Sequence, residues 1–547
     1  MTAATAPSSL VGGRNRAPRR TRAPWVLRAV GVVLAAAFAF PGIYVVWRNI
    51  STDADPIGLL RSSRTLDPLG RTMQLAVLVS LASAAIGTTL AWLTTRTDVP
   101  LRRLWRTVLP IPLVFPTFIG AAAFIRTLNP GGLANDVLNN LGIDRTFELR
   151  GLFGAWLVLT LFTYPYVYLP VVARLQRLAG SLEESARVLG DSPGQTFRRI
   201  VLPQISSAIL AGTLLVFLYT ISDFGAVQLM RYDTLTRAIN TNYLARPSVA
   251  FALSLLLLLL AIAVVVGERA VVGRIPGDAT ARSTRLVEYR LGAWRWPAGI
   301  VVLAVALLAV GAPLIAMLDW AIDGVTRASR DGRPLTVDAD TIVEAARHTL
   351  ESSVLAALAS VAAVLPIALL VGRYRSRSGS FSHAIVIGSF ALPGILIALA
   401  LRFWTLRSGF AGDLFYDSKA LLIFAYVVRF GSLAMGITLV AVQSVPDRFH
   451  DVGATLGAGR LRRFRTIDLP LMAPGLLAAV GLVLLSTMKE LPISLLIAPI
   501  GYQTLATRIF LSFEESFVAE AGLMAVVLVA MSGVLSWFLV LRRAEHR

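Results

Sequence analysis

The chain has 547 residues, no cysteine, a formal net charge of +20 and a mean hydropathy of +0.69, with 56% hydrophobic against 15% charged residues. That balance excludes a soluble globular protein, and the missing cysteines exclude disulfides and thiolate metal sites. The positive charge sits in loops between apolar runs, so it reads as membrane sidedness, and no nucleic-acid partner is expected.

Residues 1–24 carry Arg14, Arg16, Arg19, Arg20 and Arg22 without an acid. They read as a cytoplasmic tail, since no small-residue cleavage site follows the next apolar run. Spans are then expected near 26–47, 73–95, 105–128, 152–174, 205–230 and 248–267. A basic linker at 268–295 precedes spans near 297–320, 350–372, 384–404, 420–443, 471–499 and 518–541. Each is long enough to cross ~30 Å of hydrocarbon. Apolar runs such as Leu253–Leu260 face lipid or neighbouring helices. With the amino terminus inside, Lys and Arg favour cytoplasmic segments by about two to one, which places both termini in the cytoplasm. The expected fold class is an all-α polytopic membrane protein of about twelve transmembrane helices in two homologous halves, 25–267 and 296–547.

The halves repeat. Leu81–Ala85 (LASAA) matches Leu358–Ala362 (LASVA), and Pro116 matches Pro393, both midway along an expected span and 277 residues apart. Further on the offset falls to 267, so that Asp223 meets Glu490, while Thr234–Leu235 lies near Thr504–Leu505. Each half reads as one leading helix plus a five-helix core, with a route between the halves.

A polar segment recurs at corresponding places, at Ser181–Pro203 and Ser444–Pro470. Ser181 and Glu184 have capping-box spacing, and Leu182, Ala186 and Leu189 fall on one helical face. Gly190 is suited to a left-handed stop, and Asp191 or Ser192 to capping a second helix with Pro193 in its first turn. In the second copy Phe449, Val452 and Leu456 make the apolar face, and Gly457 the break. Each copy thus predicts a short helix, a bend, and another short helix leading into a span. An ordinary amphipathic loop explains one such segment, but explains the repetition poorly.

The segments resemble the EAA loop of permease subunits of binding-protein-dependent ATP-binding-cassette (ABC) importers, which reads E-A-A, three residues, G, nine residues, I-x-L-P. The first copy supplies Glu184-Ser185-Ala186, Gly190, Ile200, Leu202 and Pro203, flanked by Glu183 and Asp191. The second has Asp451-Val452-Gly453 in place of E-A-A, then Gly457, Ile467, Leu469 and Pro470 at the family spacing. The resemblance covers most of 70–545 and implies the type I importer permease fold in a bacterial inner membrane. It further implies two copies of a cytoplasmic ATPase docked on these loops, with ATP and Mg bound there, and an extracytoplasmic substrate-binding protein. This chain is expected to hold no cofactor and to be no enzyme: its only lysines, Lys419 and Lys489, lie outside any G-x-x-x-x-G-K-[ST] pattern. Met488–Phe510 and Ser222–Ile239 resemble the ferric-iron permeases among fused two-half permeases, although Ala498 stands where that group often has arginine. Thiamine, small organic anion or polyamine permeases are the alternatives within the family. An ion-gradient-driven transporter of twelve helices is the alternative outside it.

Ionisable residues inside spans are costly and mark functional sites or pairs. Asp223 and Glu490 are expected in the outer fifth and eleventh spans, either as pathway carboxylates suited to a hard cation or as caps and partners, with Lys489 adjacent. Arg126 and Arg402, at outer span ends, read as snorkelling side chains or as contacts for an anionic chelate or the binding protein. Arg429, deeper in the tenth span, reads as a buried ion pair or pathway contact. His348, His383, His450 and His546 have no metal-ligand spacing, so no metal site is assigned.

Overall fold

In the computed structural model, residues 23–51, 58, 62–129, 148–178, 180–272, 287–331 and 338–536 are described. The expected amino-terminal tail, most of the linker and the carboxyl-terminal arginines lie outside them. The described residues are helical throughout, apart from turns and one isolated bridge, Thr97 to Tyr289. Among the described residues ten helices are long and apolar enough to cross a membrane, and counting each of two bent pairs as one span raises the number to twelve.

The bent pairs correct the expectation of straight spans at 105–128 and 384–404. Arg102–Val114 meets Thr117–Leu128 at 99°, and Arg377–Ser389 meets Gly394–Arg407 at 104°. Both breaks fall at the repeated prolines. Proline disfavours the helical region at its predecessor, and Phe115 has ψ 135°. The fifth and eleventh spans also stop earlier than expected, at Ser222 and Met488. Short helices Gly225–Leu229 and Pro492–Ile497 follow, starting at equivalent positions. Asp223 and Glu490 therefore stand at helix breaks rather than within helices.

The repeat extends to single hydrogen bonds. Leu235 N–H donates to Thr72 Oγ1 at 2.9 Å, and Leu505 N–H donates to Thr349 Oγ1 at 2.8 Å, with Thr72 and Thr349 separated by the 277-residue offset. In each half the long helix, Ser63–Arg96 or Ala339–Gly372, packs on the fourth and fifth spans of that half.

The leading helices do not simply precede their own cores. Trp25–Ile50 lies on Pro247–Val272 of its own half but packs more extensively on Arg377–Ser389, Gly394–Arg407 and Ala339–Gly372 of the other. The Phe40 and Trp404 rings meet edge-on at 5.0 Å across that contact. In return, Ala312–Asp331 packs on Thr117–Leu128 of the first half as well as on Val518–Ser536. Outward residues such as Val33, Ile43 and Trp47 are exposed on a helix apolar all round, the pattern of a lipid-facing span. The halves are thus interlocked.

Candidate functional site

Both repeated segments lie at the same end of the bundle, here called the lever end. Helices Gly180–Val188 and Asp447–Thr455 stop at Gly190 and Gly457, whose φ values of 98° and 73° are left-handed as expected. Second short helices follow at Pro193–Thr196 and Arg460–Arg463, then π-turns at Phe197–Val201 and Phe464–Asp468, again 267 residues apart. Leu202–Pro203 and Leu469–Pro470 continue directly into the spans, so each proline, with no N–H to donate, sits just after a π-turn inside a continuous helix. The capping box, however, is formed by Ser192 and Gln195; Ser181 lies inside the first helix, and its carbonyl accepts from Ser185 Oγ at 2.8 Å.

The apolar face expected for the first lever divides in two, whereas that of the second, Phe449, Val452 and Leu456, stays together and faces outward. Ala186 and its equivalent Gly453 turn inward, where a Cβ on Gly453 would press on Arg463 and Ile467. Glycine in place of the family's alanine is therefore a packing choice. Leu182 and Leu189 point outward, as do Phe449, Val452 and Leu456; Leu189 is 87% exposed and Leu456 80%. Glu184, Ser185 and Asp451 are exposed, and Asp191 pairs with Arg199 at 3.2 Å. Ile200 and Ile467 are half-buried at the root of the spans.

Glu183 departs from its expected place on the docking surface. It is wholly buried, with Oε1 3.0 Å from Nη1 of the equally buried Arg96. Tyr289, from the linker between halves, donates to Glu183 Oε2 at 2.8 Å, and Tyr289 N–H donates to Arg96 O at 2.8 Å. Arg96 also donates to Leu175 O at 3.0 Å. Burial, and then the bond to Glu183, push the Tyr289 hydroxyl well above its ordinary range, so it remains a donor. Arg373, the repeat equivalent of Arg96, holds Asp468 at 2.6 Å in the second lever. Sequence reasoning passed over both arginines, although the 277-residue offset relates them.

Between the halves lies a cavity of about 400 Å³ whose walls are repeat-related. Repeat-equivalent residues line it from both halves, Asp223 and Glu490, Thr117 and Gly394, and Ser222 and Lys489. Asp223 accepts from Thr117 Oγ1 at 2.6 Å and from Ala226 N–H at 3.0 Å, and so caps Gly225–Leu229 while lining the cavity. Glu490 is placed differently. Its Oε1 is buried with no hydrogen-bond partner among the described residues and lies 2.5 Å from where a Cβ on Gly394 would stand. Lys489 does not pair with it, but crosses to the other half and donates to Leu113 O at 2.6 Å. Arg429 donates to Leu392 O at 2.6 Å and to Phe390 O at 3.3 Å, sealing the broken turn before Pro393. Tyr166 and Tyr219 add two hydroxyl-bearing rings to the wall.

Arg402 does not simply snorkel. It donates to Leu496 O at 2.7 Å and lies 5.6 Å over the Tyr243 ring, joining the halves. Arg126 lines a separate cavity of about 470 Å³ at the end away from the levers, with Arg150, Arg231 and Glu514. There Gln228 donates to Glu514 at 3.2 Å across the halves.

Interlocked halves that each root a bent lever in a span and share a cavity on their common axis have the architecture of a transport permease. The chain belongs to the family of binding-protein-dependent transport system inner membrane components, which matches residues 83–277 and 364–547. It is 29% identical over 529 residues to the Fe(3+)-transport system permease protein FbpB 2 of Haemophilus influenzae, covering 94% of this chain and 98% of that protein. It is 25% identical over 458 residues to a probable ABC transporter permease, y4fN, of Sinorhizobium fredii, covering 80% of each. The sulfate transport system permease CysT of Salmonella typhimurium matches at 30% over 156 residues, 28% of this chain and 55% of that one. The protein is thus a multi-pass inner-membrane permease of an ABC importer with two fused halves, and family membership favours the ATP-driven over the gradient-driven reading.

Proposed function

We propose that this permease carries ferric iron along the axis between its halves. Two copies of a separate ATPase, which bind the ATP and Mg, drive it from the lever end in the cytoplasm. A substrate-binding protein delivers the cargo at the opposite end. The observation that carries the cargo assignment is the pair of repeat-related carboxylates, Asp223 and Glu490, facing one cavity. Hard oxygen donors suit a hard trivalent cation, and tyrosine hydroxyls extend the set. Similarity to an Fe(3+) permease over nearly the whole chain supports the same cargo.

The exposed apolar residues of the levers support docking. Leu189 and Leu456 stand clear of the bundle at equivalent positions, with Glu184 and Asp451 beside them to set register. An apolar helical face seated in a groove is an effective mechanical joint. The buried Glu183 then acts behind the joint, tying the first lever to Ser63–Arg96 and to the linker.

The cargo test is radioactive iron uptake by the complete transporter carrying Asp223→Asn and Glu490→Gln. Uptake is expected to fall ~10- to 100-fold, the range for losing charge-assisted contacts, while the ATPase still binds. Unchanged uptake would remove the cavity from the route. The basic cavity at the opposite end, with Arg126, Arg150 and Arg231, favours an oxyanion as the second reading. Labelled sulfate taken up in place of iron would establish it.

A further inference from the structure

The two broken turns present equivalent carbonyls that are capped from different directions. Breaking a span leaves carbonyl oxygens without helical partners, and in a membrane these need donors from elsewhere. Leu113 and Phe390 are separated by the 277-residue repeat offset. Phe390 O accepts from Arg429, a residue of its own half. At the corresponding place in the first half, 267 residues earlier, stands Phe162, which has no donor. Leu113 O accepts instead from Lys489 of the other half, whose own repeat equivalent is the neutral Ser222. One half seals its break from within, and the other borrows a cation across the cavity.

We infer that Lys489 is a latch between the halves, holding the first-half break against the second half in the conformation seen here. Lys489 lines the same cavity as Asp223 and Glu490, and the Glu490 Oε1 beside it lacks a hydrogen-bond partner among the described residues. A cation drawn in by those carboxylates repels the ammonium group and weakens its bond to Leu113, so cargo occupancy favours separation of the halves. This last step rests on the cation-route reading above; the latch itself does not.

The absence of native cysteine allows a direct test. Spin labels at Phe153→Cys and Phe410→Cys, exposed sites on opposite halves, report the distance between them in the full chain in lipid nanodiscs without cargo. With Lys489 present, one narrow distance is expected. Lys489→Met should add a longer population, shifting the equilibrium about tenfold, equivalent to about 1.4 kcal/mol. Lys489→Arg, which can still donate to Leu113 O, should restore the narrow distribution. A Lys489→Met distribution that superimposes on the parent overturns the latch, as does a Lys489→Arg distribution as broad as that of methionine. If Lys489→Met does not insert, Lys489→Leu, which also cannot donate to Leu113 O, takes its place with the same two outcomes. Because no cargo is present, failure here leaves the iron reading standing, whereas unchanged uptake in the Asp223 and Glu490 variant removes that reading and leaves the latch.

Discussion

Arg96→Met is expected to abolish transport and to lower the stability of the membrane-inserted chain by ~3–5 kcal/mol, the cost of leaving a buried charge without its partner. Arg96 and Glu183 are both wholly buried, and the linker residue Tyr289 donates to the same carboxylate. Losing the guanidinium strands Glu183 beneath the lever. The double variant Arg96→Met with Glu183→Met should recover most of the thermal stability, because an apolar pair of similar volume removes both desolvation costs. It should not recover transport, since the directional bonds that fix the lever are gone. Thermal unfolding of the purified chain and uptake by the complete transporter separate the two effects. Normal uptake in the single variant would mean that the lever is not positioned by this pair.

Gly394→Thr should be nearly as damaging, and its rescue is more informative. At the equivalent first-half position, Thr117 donates to the shorter Asp223; in the second half, Gly394 leaves room for the longer Glu490. A side chain at Gly394 starts 2.5 Å from Glu490 Oε1, so the carboxylate must leave its place in the cavity. Uptake by Gly394→Thr alone is expected to fall ~10- to 100-fold, as for loss of a charged contact. Adding Glu490→Asp rebuilds the first-half pair in the second half and should restore most of it. Failure of the double variant to improve on the single one would show that the two halves treat the cavity differently.

What the sequence revealed and what it hid have separate physical causes. Apolar runs of membrane length, basic loops and the doubled lever are local patterns, and they located the spans, the repeat and both left-handed glycines. The breaks at Pro116 and Pro393 were visible as residues but not as bends, because the apolar run continues through them and hydropathy does not register backbone direction. Glu183 was misplaced for a related reason. On a nine-residue helix with charges around it, period alone cannot tell which glutamate faces Arg96, a partner 87 positions earlier. Lys489 read as a neighbour of Glu490 because adjacency in sequence is all that one strand of text offers; its partner is 376 residues away. The contacts of the leading helices with the opposite half left no local mark at all.

The proposed function requires that an ATPase grip this permease through its two levers. The cysteine-free chain makes the test simple: place a photoactivatable cross-linker on Leu189→Cys and, separately, on Leu456→Cys, and illuminate the complete transporter in its native membrane. Both positions should capture the same ATPase subunit, and neither should capture the external binding protein. Capture of the ATPase from neither position, or of the binding protein from either, would contradict the account.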